Sequence, residues 1–205
     1  MQVKFCGLQT MADVDVVNRL HPDMAGFVFV PESSRCLHPE EAAVLKSRLD
    51  PSISAVGVFA NQDPAEIEML VDTGVIDMIQ LHGSEPPEMI RRLQQKAPVI
   101  RAFRIRQASD LQPALTSCAD HVLLDAGAGQ GRTFDWSLLK GFARPYILAG
   151  GLCPENAAAA FALHPRALDV SSGIETAGRK DPQKMAAFLA AIGIHERDTE
   201  GGTGR

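Results

Sequence analysis

Eight short apolar or β-branched runs, separated by longer amphipathic stretches, constrain this chain more than any other feature. They lie near Val3 to Cys6, Ala25 to Val30, Ile53 to Phe59, Met78 to Leu81, Val99 to Phe103, Val122 to Leu124, Tyr146 to Ala149 and Ala167 to Val170. Their spacing is mostly about 20 to 30 residues, the size of one strand plus one helix, so the pattern reads as repeated β-α units around a parallel sheet. The stretches between them carry start signals in the same phase. Pro39, Pro64, Pro154 and Pro182 each stand where a first helical turn would begin, because proline lacks only an N–H that is unpaired there anyway. Asp63 and Asp181 precede two of these prolines as N-cap candidates, and Glu66, three residues past Asp63, predicts an approximate capping box. In the last stretch Met185, Phe188, Leu189 and Ile192 follow i, i+3, i+4, i+7 spacing, a core-facing helical stripe.

An open doubly wound sheet is the competing architecture, and it would announce itself with a glycine fingerprint after the first strand. Here that strand runs into Cys6-Gly7-Leu8. Eight units in 205 residues, with no linker between them, predict an α/β fold of minimal length, a single (β/α)8 TIM barrel at the lower end of that fold's range, about 200 residues. The barrel is expected over residues 1–194. Residues 195–205 are polar and glycine-rich without periodicity, which predicts a disordered tail.

Charge and cysteine usage narrow the partners. A net charge of -5 provides no concentrated basic surface for a phosphate backbone, which excludes nucleic acid and leaves small molecules. No apolar run approaches the roughly 20 residues of a membrane span, and the start Met1-Gln2-Val3-Lys4 lacks a signal-peptide core, so a cytoplasmic protein with no membrane partner is expected. Cys6, Cys36, Cys118 and Cys153 form no CxxC pair, which disfavours disulfides and structural metal. The last three are read as structural or incidental. A monomer and a homodimer both remain open.

In such a barrel chemistry sits at the C-terminal ends of the strands. Those ends are Cys6, Ser33-Ser34-Arg35, Gln80-Leu81-His82-Gly83, Asp125, Gly150-Gly151 and Ser171-Ser172-Gly173. Loops after strands seven and eight commonly hold phosphate, since glycines and free backbone N–H groups there approach an anion closely. Gly150, Gly151, Ser171, Ser172 and Gly173 are therefore the candidate phosphate grip, and a phosphorylated substrate follows. The rival reading, a tight turn ahead of Pro154, fits Gly150-Gly151 alone but not its pairing with the serines.

Seven segments together resemble one family. They are Lys4-Phe5-Cys6-Gly7; Gly26-Phe27-Val28-Phe29 with Ser34-Arg35; Val56-Gly57-Val58-Phe59; Gln80-Leu81-His82-Gly83; Leu124-Asp125 with Phe134-Asp135-Trp136; Leu148-Ala149-Gly150-Gly151-Leu152 with Pro154-Glu155-Asn156; and Asp169-Val170-Ser171-Ser172-Gly173-Ile174-Glu175. In order and spacing, from Lys4 to about Phe188, they are similar to phosphoribosylanthranilate isomerase of tryptophan biosynthesis. Two departures stand out. The loop from Ala126 to Arg132 is shorter than usual and reads Gly127-Ala128-Gly129-Gln130-Gly131, and Leu8-Gln9-Thr10 differs slightly after Gly7.

The resemblance implies an isomerase that rearranges N-(5-phosphoribosyl)anthranilate to 1-(2-carboxyphenylamino)-1-deoxyribulose 5-phosphate with one acid and one base. It implies Asp125 as acid and Cys6 as base, with Arg35 on the anthranilate carboxylate, for which a guanidinium is well shaped. Gln80, His82 and Asp169 would line the substrate. No metal and no organic cofactor is expected, because proton transfers alone accomplish the rearrangement. A free carboxyl titrates near 4 and a free thiol near 8.5, about the reference values, so the site must tune both. Lys4, on the same strand face as Cys6, has two readings: a source of positive charge for the thiol, or a barrel-interior ion pair with Asp169. Rival functions keep the barrel but change the chemistry, as a sugar-phosphate epimerase, a bifunctional histidine and tryptophan isomerase, or a non-catalytic ligand-binding barrel would.

Overall fold

The computed structural model describes residues 1–127 and 133–194. Eight parallel strands close into one barrel: β1 (Gln2–Cys6), β2 (Met24–Val28), β3 (Ser54–Phe59), β4 (Met78–Leu81), β5 (Val99–Arg104), β6 (His121–Asp125), β7 (Tyr146–Leu148) and β8 (Ala167–Val170). Each pairs with its neighbours in chain order, and β1 pairs with both β2 and β8 to shut the ring. These runs form strands because they are buried on both faces, which demands near-continuous apolar sequence. The eight expected runs coincide with the eight observed strands within one or two residues at each end.

Among the described residues seven α-helices pack outside: α1 (Met11–Leu20), α2 (Pro39–Arg48), α3 (Pro64–Asp72), α4 (Pro87–Leu93), α5 (Leu111–Thr116), α6 (Pro154–Phe161) and α7 (Pro182–Ala191). All four expected prolines open their helices, and Pro87 does the same. The stripe Met185, Phe188, Leu189 and Ile192 is buried. Two local expectations need correction. Asp63 caps α3 by accepting from the Ala65 N–H at 2.8 Å, but no return bond from Glu66 accompanies it among the described residues, so the cap lacks its box. Among its described residues the sixth unit carries a 3-10 turn, Trp136–Leu139, where a helix was expected. The Asp135 side chain caps that turn, and it stops at Lys140-Gly141, a few residues before β7. The tail expected at 195–205 lies outside the described residues.

Alternation along the strands sorts side chains into two layers. Met24, Val56, Ile100, Ala102, Leu123, Ile147, Ala149 and Ala167 fill the barrel interior. Val3, Phe5, Phe27, Ile79, Leu124, Leu168 and Val170 face the helices. The interior parity also carries Lys4, Cys6, Gln80, Asp125 and Asp169, which places those polar groups inside the ring towards its C-terminal mouth. Among the described residues no helix is long and apolar enough to cross a membrane.

Candidate active site

A cavity of about 180 Å³ opens at that mouth. Cys6, Arg35, Gln80, His82, Asp125, Gly150, Gly151, Asp169, Ser171 and Ser172 all line it. Of the residues expected at the site, only Gly173 lies off the wall. A Cβ there would collide with the Leu152 carbonyl, so Gly173 lets the loops after β7 and β8 touch. Its lack of a side chain thus brings those two loops together. Asn156, in the first turn of α6, pins the loop after β7: its side chain donates to the Gly151 carbonyl at 2.9 Å and accepts from the Cys153 N–H at 2.9 Å.

Cys6 and Asp125 reach this one cavity from strands that are not neighbours. Cys6 is 8% exposed, and the Ser171 hydroxyl donates to the Cys6 carbonyl at 3.0 Å, tying the end of β1 to the loop after β8. Beneath the thiol, Lys4 is wholly buried and donates to Asp169 at 3.0 Å. Lys4 is therefore an interior ion-pair partner of Asp169, and it also lies against Cys6. Burial pushes the Cys6 thiol above its ordinary value, and the Lys4 charge works in the opposite direction. Burial alone would lower Lys4, but the Asp169 carboxylate and the Cys6 sulfur outweigh it and hold the ammonium above the ordinary lysine value.

On the facing wall the Asp125 carboxylate accepts from the Gly127 N–H at 2.5 Å, and its other oxygen lies 3.9 Å from His82 Nε2. His82 Nδ1 in turn meets Gln80 Nε2 at 3.4 Å. Gln80 is 2% exposed, and its Oε1 has no hydrogen-bond partner among the described residues. A buried acceptor left open costs free energy, so its position on a cavity wall suits a ligand hydroxyl. The shortened loop after Asp125 falls largely on residues 128–132, outside the described residues.

Sequence reasoning missed the neighbours of Arg35. Its Nε and Nη2 donate to the two Glu175 oxygens, both at 2.7 Å, and Lys180 donates to the same carboxylate at 2.7 Å. Glu175 and Lys180 face each other across a short hairpin, β9 (Glu175–Thr176) and β10 (Arg179–Lys180). An acidic residue and a basic residue flanking Thr-Ala-Gly-Arg was the available signal, an opposite-charge cross-strand pair around a turn. The Glu175 carboxylate sits below its ordinary value: burial opposes this, but the Arg35 and Lys180 bonds prevail.

A barrel whose mouth sets a thiol and a carboxyl about one cavity, beside glycine- and serine-bearing loops after β7 and β8, falls among the (β/α)8 enzymes that work by proton transfer on phosphorylated substrates. The family of N-(5'-phosphoribosyl)anthranilate (PRA) isomerase matches residues 3–191, and the chain belongs to that family. It is 44% identical over 189 residues to N-(5'-phosphoribosyl)anthranilate isomerase of Lacticaseibacillus casei (strain BL23), covering 91% of this chain and 92% of that one. Phosphoribosyl anthranilate isomerase from Thermus thermophilus superposes with a TM-score of 0.86 at 35% identity, covering 94% of this chain and 98% of that one. A structure of phosphoribosyl anthranilate isomerase in complex with reduced 1-(o-carboxyphenylamino)-1-deoxyribulose 5-phosphate gives the same TM-score, 0.86, at 35% identity and the same coverage, 94% and 98%. Family membership sets the epimerase reading aside.

Proposed function

We propose that this chain isomerises N-(5'-phosphoribosyl)anthranilate in tryptophan biosynthesis, the activity of its family, with Asp125 as general acid and Cys6 as general base. The observation that carries the assignment is the convergence of these two side chains, from β6 and β1, on one cavity that also takes in the loops after β7 and β8. Asp125 protonates the furanose ring oxygen, and the ring opens to an iminium ion. Cys6, as thiolate, then removes the C2 proton to give an enolamine, which tautomerises to the ketone. The Gly150–Gly151 turn and Ser171–Ser172 hold the phosphoryl group, so the phosphorylated small molecule spans the mouth from these loops towards Arg35. Arg35 still has Nη1 without a partner among the described residues, and it presents that edge to the anthranilate carboxylate. Gln80 Oε1 accepts from a sugar hydroxyl. Asp169 acts from the wall through its bond to Lys4.

Replacement of either reacting group tests the assignment. Cys6→Ser and Asp125→Asn should each lower kcat by about 10²-fold to 10⁴-fold, the usual loss of a general acid or base, with circular dichroism unchanged. Turnover within a few-fold of the parent in either variant removes that residue from the mechanism. The parent gene should restore growth of a tryptophan auxotroph lacking this isomerase; growth of a histidine auxotroph as well would reveal a second substrate.

A further inference from the structure

Two charged groups in the mouth, Glu175 and Lys180, have no part in the proton transfers, yet their side chains are almost wholly buried, at 7% and 3% exposed. Burying charge is costly unless geometry and bonding are complete, and here they are complete. Glu175 receives both forks of Arg35 from the loop after β2 and the ammonium of Lys180 from its own hairpin. Lys180 has a second acceptor, the Ser171 carbonyl, at 3.1 Å. The hairpin is itself held from outside by α7: Thr176 Oγ1 donates to Asp181 at 2.6 Å, and Lys184 Nζ donates to the Glu175 carbonyl at 2.7 Å. One carboxylate therefore links two segments that are 140 residues apart in the chain, and Arg35 from one and Ser171 and Ser172 from the other line the same cavity.

The orientation of these bonds determines what is left for a ligand. In a trans peptide the carbonyl and the following N–H point in opposite directions, and among the described residues the chain has no cis bonds. With the Ser171 carbonyl turned down onto buried Lys180, the Ser172 N–H is turned the other way, towards the cavity that both serines line. With the Nε and Nη2 edge of Arg35 on Glu175, the guanidinium plane is fixed, and Nη1 is the edge left without a partner among the described residues of a side chain that lines the cavity. Two cations against one carboxylate also leave a net positive charge, which suits a doubly anionic ligand.

We propose that Glu175 is a positioning residue that sets both ends of the binding site at once, aiming Arg35 at a carboxylate and, through Lys180, the Ser171–Ser172 peptide at a phosphoryl group. This rests on the reading of Arg35 and the serine loop given under Proposed function. The test is steady-state kinetics on Glu175→Gln and Lys180→Met, with inorganic phosphate and anthranilate as separate competitive inhibitors. Glu175→Gln should raise KM and both inhibition constants by about tenfold while kcat changes less than about threefold, the split of a residue that serves binding. Lys180→Met should weaken phosphate by a similar factor and leave anthranilate within about twofold of the parent.

A fall in Tm with both inhibition constants unchanged overturns the proposal, because a purely structural clamp would behave so. A loss confined to kcat overturns it too. Should Glu175→Gln fail to fold, the phosphate-against-anthranilate split in Lys180→Met decides alone, and equal weakening of both counts against it. If neither probe competes with substrate in the parent protein, the reading of Arg35 and the serine loop fails first, and this one with it.

Discussion

At Cys6 two influences oppose each other: burial holds the thiol protonated, and the Lys4 ammonium favours the thiolate. A base must shed its proton before it can act, so kcat/KM should climb as pH rises through the Cys6 pKa. Lys4→Met removes the opposing charge and leaves burial and Asp169 unbalanced, so the climb should move to higher pH. A pH profile superimposable on that of the parent would strip Lys4 of this role. Gly26 provides an independent check from the next strand, because a Cβ built there would lie 2.8 Å from Cys6 Sγ and 3.1 Å from Lys4 Nζ. Gly26→Ala must therefore push the pair aside and should shift the profile in the same direction, at a cost in stability of about 1 to 3 kcal/mol from overpacking. Cys6, Asp125 and Arg35 were legible because strand-end position and motif both marked them. Glu175 and Lys180 were not, because their meeting depends on a turn with positive φ at Ala177 and Gly178, a conformation that no apolar periodicity announces.

Secondary elements were legible in proportion to how strongly burial dictates their composition. Strands enclosed on both faces must be apolar throughout, and all eight were readable. The 3-10 turn after β6 was not, since a tertiary decision to cross from β6 to β7 with no α-helix among the described residues leaves little mark in the sequence. The same is true of the loop after β4. Glu85, 6% exposed, accepts from the Asn61 N–H at 2.8 Å and the Gly83 N–H at 3.2 Å and pairs with Arg101. Arg101 donates to the Gly83 carbonyl at 2.8 Å. The pair thus binds the ends of β3, β4 and β5 beside His82. Arg101→Met strands a buried carboxylate and should cost about 3 to 5 kcal/mol in urea unfolding, whereas Glu85→Met with Arg101→Met should cost less than either change alone. Additive losses in that double-mutant cycle would mean that the two residues act separately.

For the whole molecule, closure joins strands that are remote in the chain. Lys4 and Asp169, 165 residues apart, face each other across the β1–β8 seam, a pairing that no local pattern shows but that eight consecutive units require once the sheet shuts. The mouth is assembled from loops all round that ring, so a ligand that touches several of them should stabilise the ring as a unit. Reduced 1-(o-carboxyphenylamino)-1-deoxyribulose 5-phosphate, the ligand of a related structure, is the natural probe. At a hundredfold excess over its Kd it should add about 2.7 kcal/mol, which raises Tm by about 5 to 10 °C for a chain of this size. Binding and chemistry then separate by residue. Cys6→Ser should keep most of that rise although turnover is lost, because the base acts on a C2 proton made acidic by the neighbouring iminium, which the reduced analogue lacks. Arg35→Met should lose much of the rise, since it removes the guanidinium from the carboxylate end. The reverse pattern, with the shift abolished in Cys6→Ser and intact in Arg35→Met, would make the thiol a structural or binding group and move the carboxylate site elsewhere on the mouth.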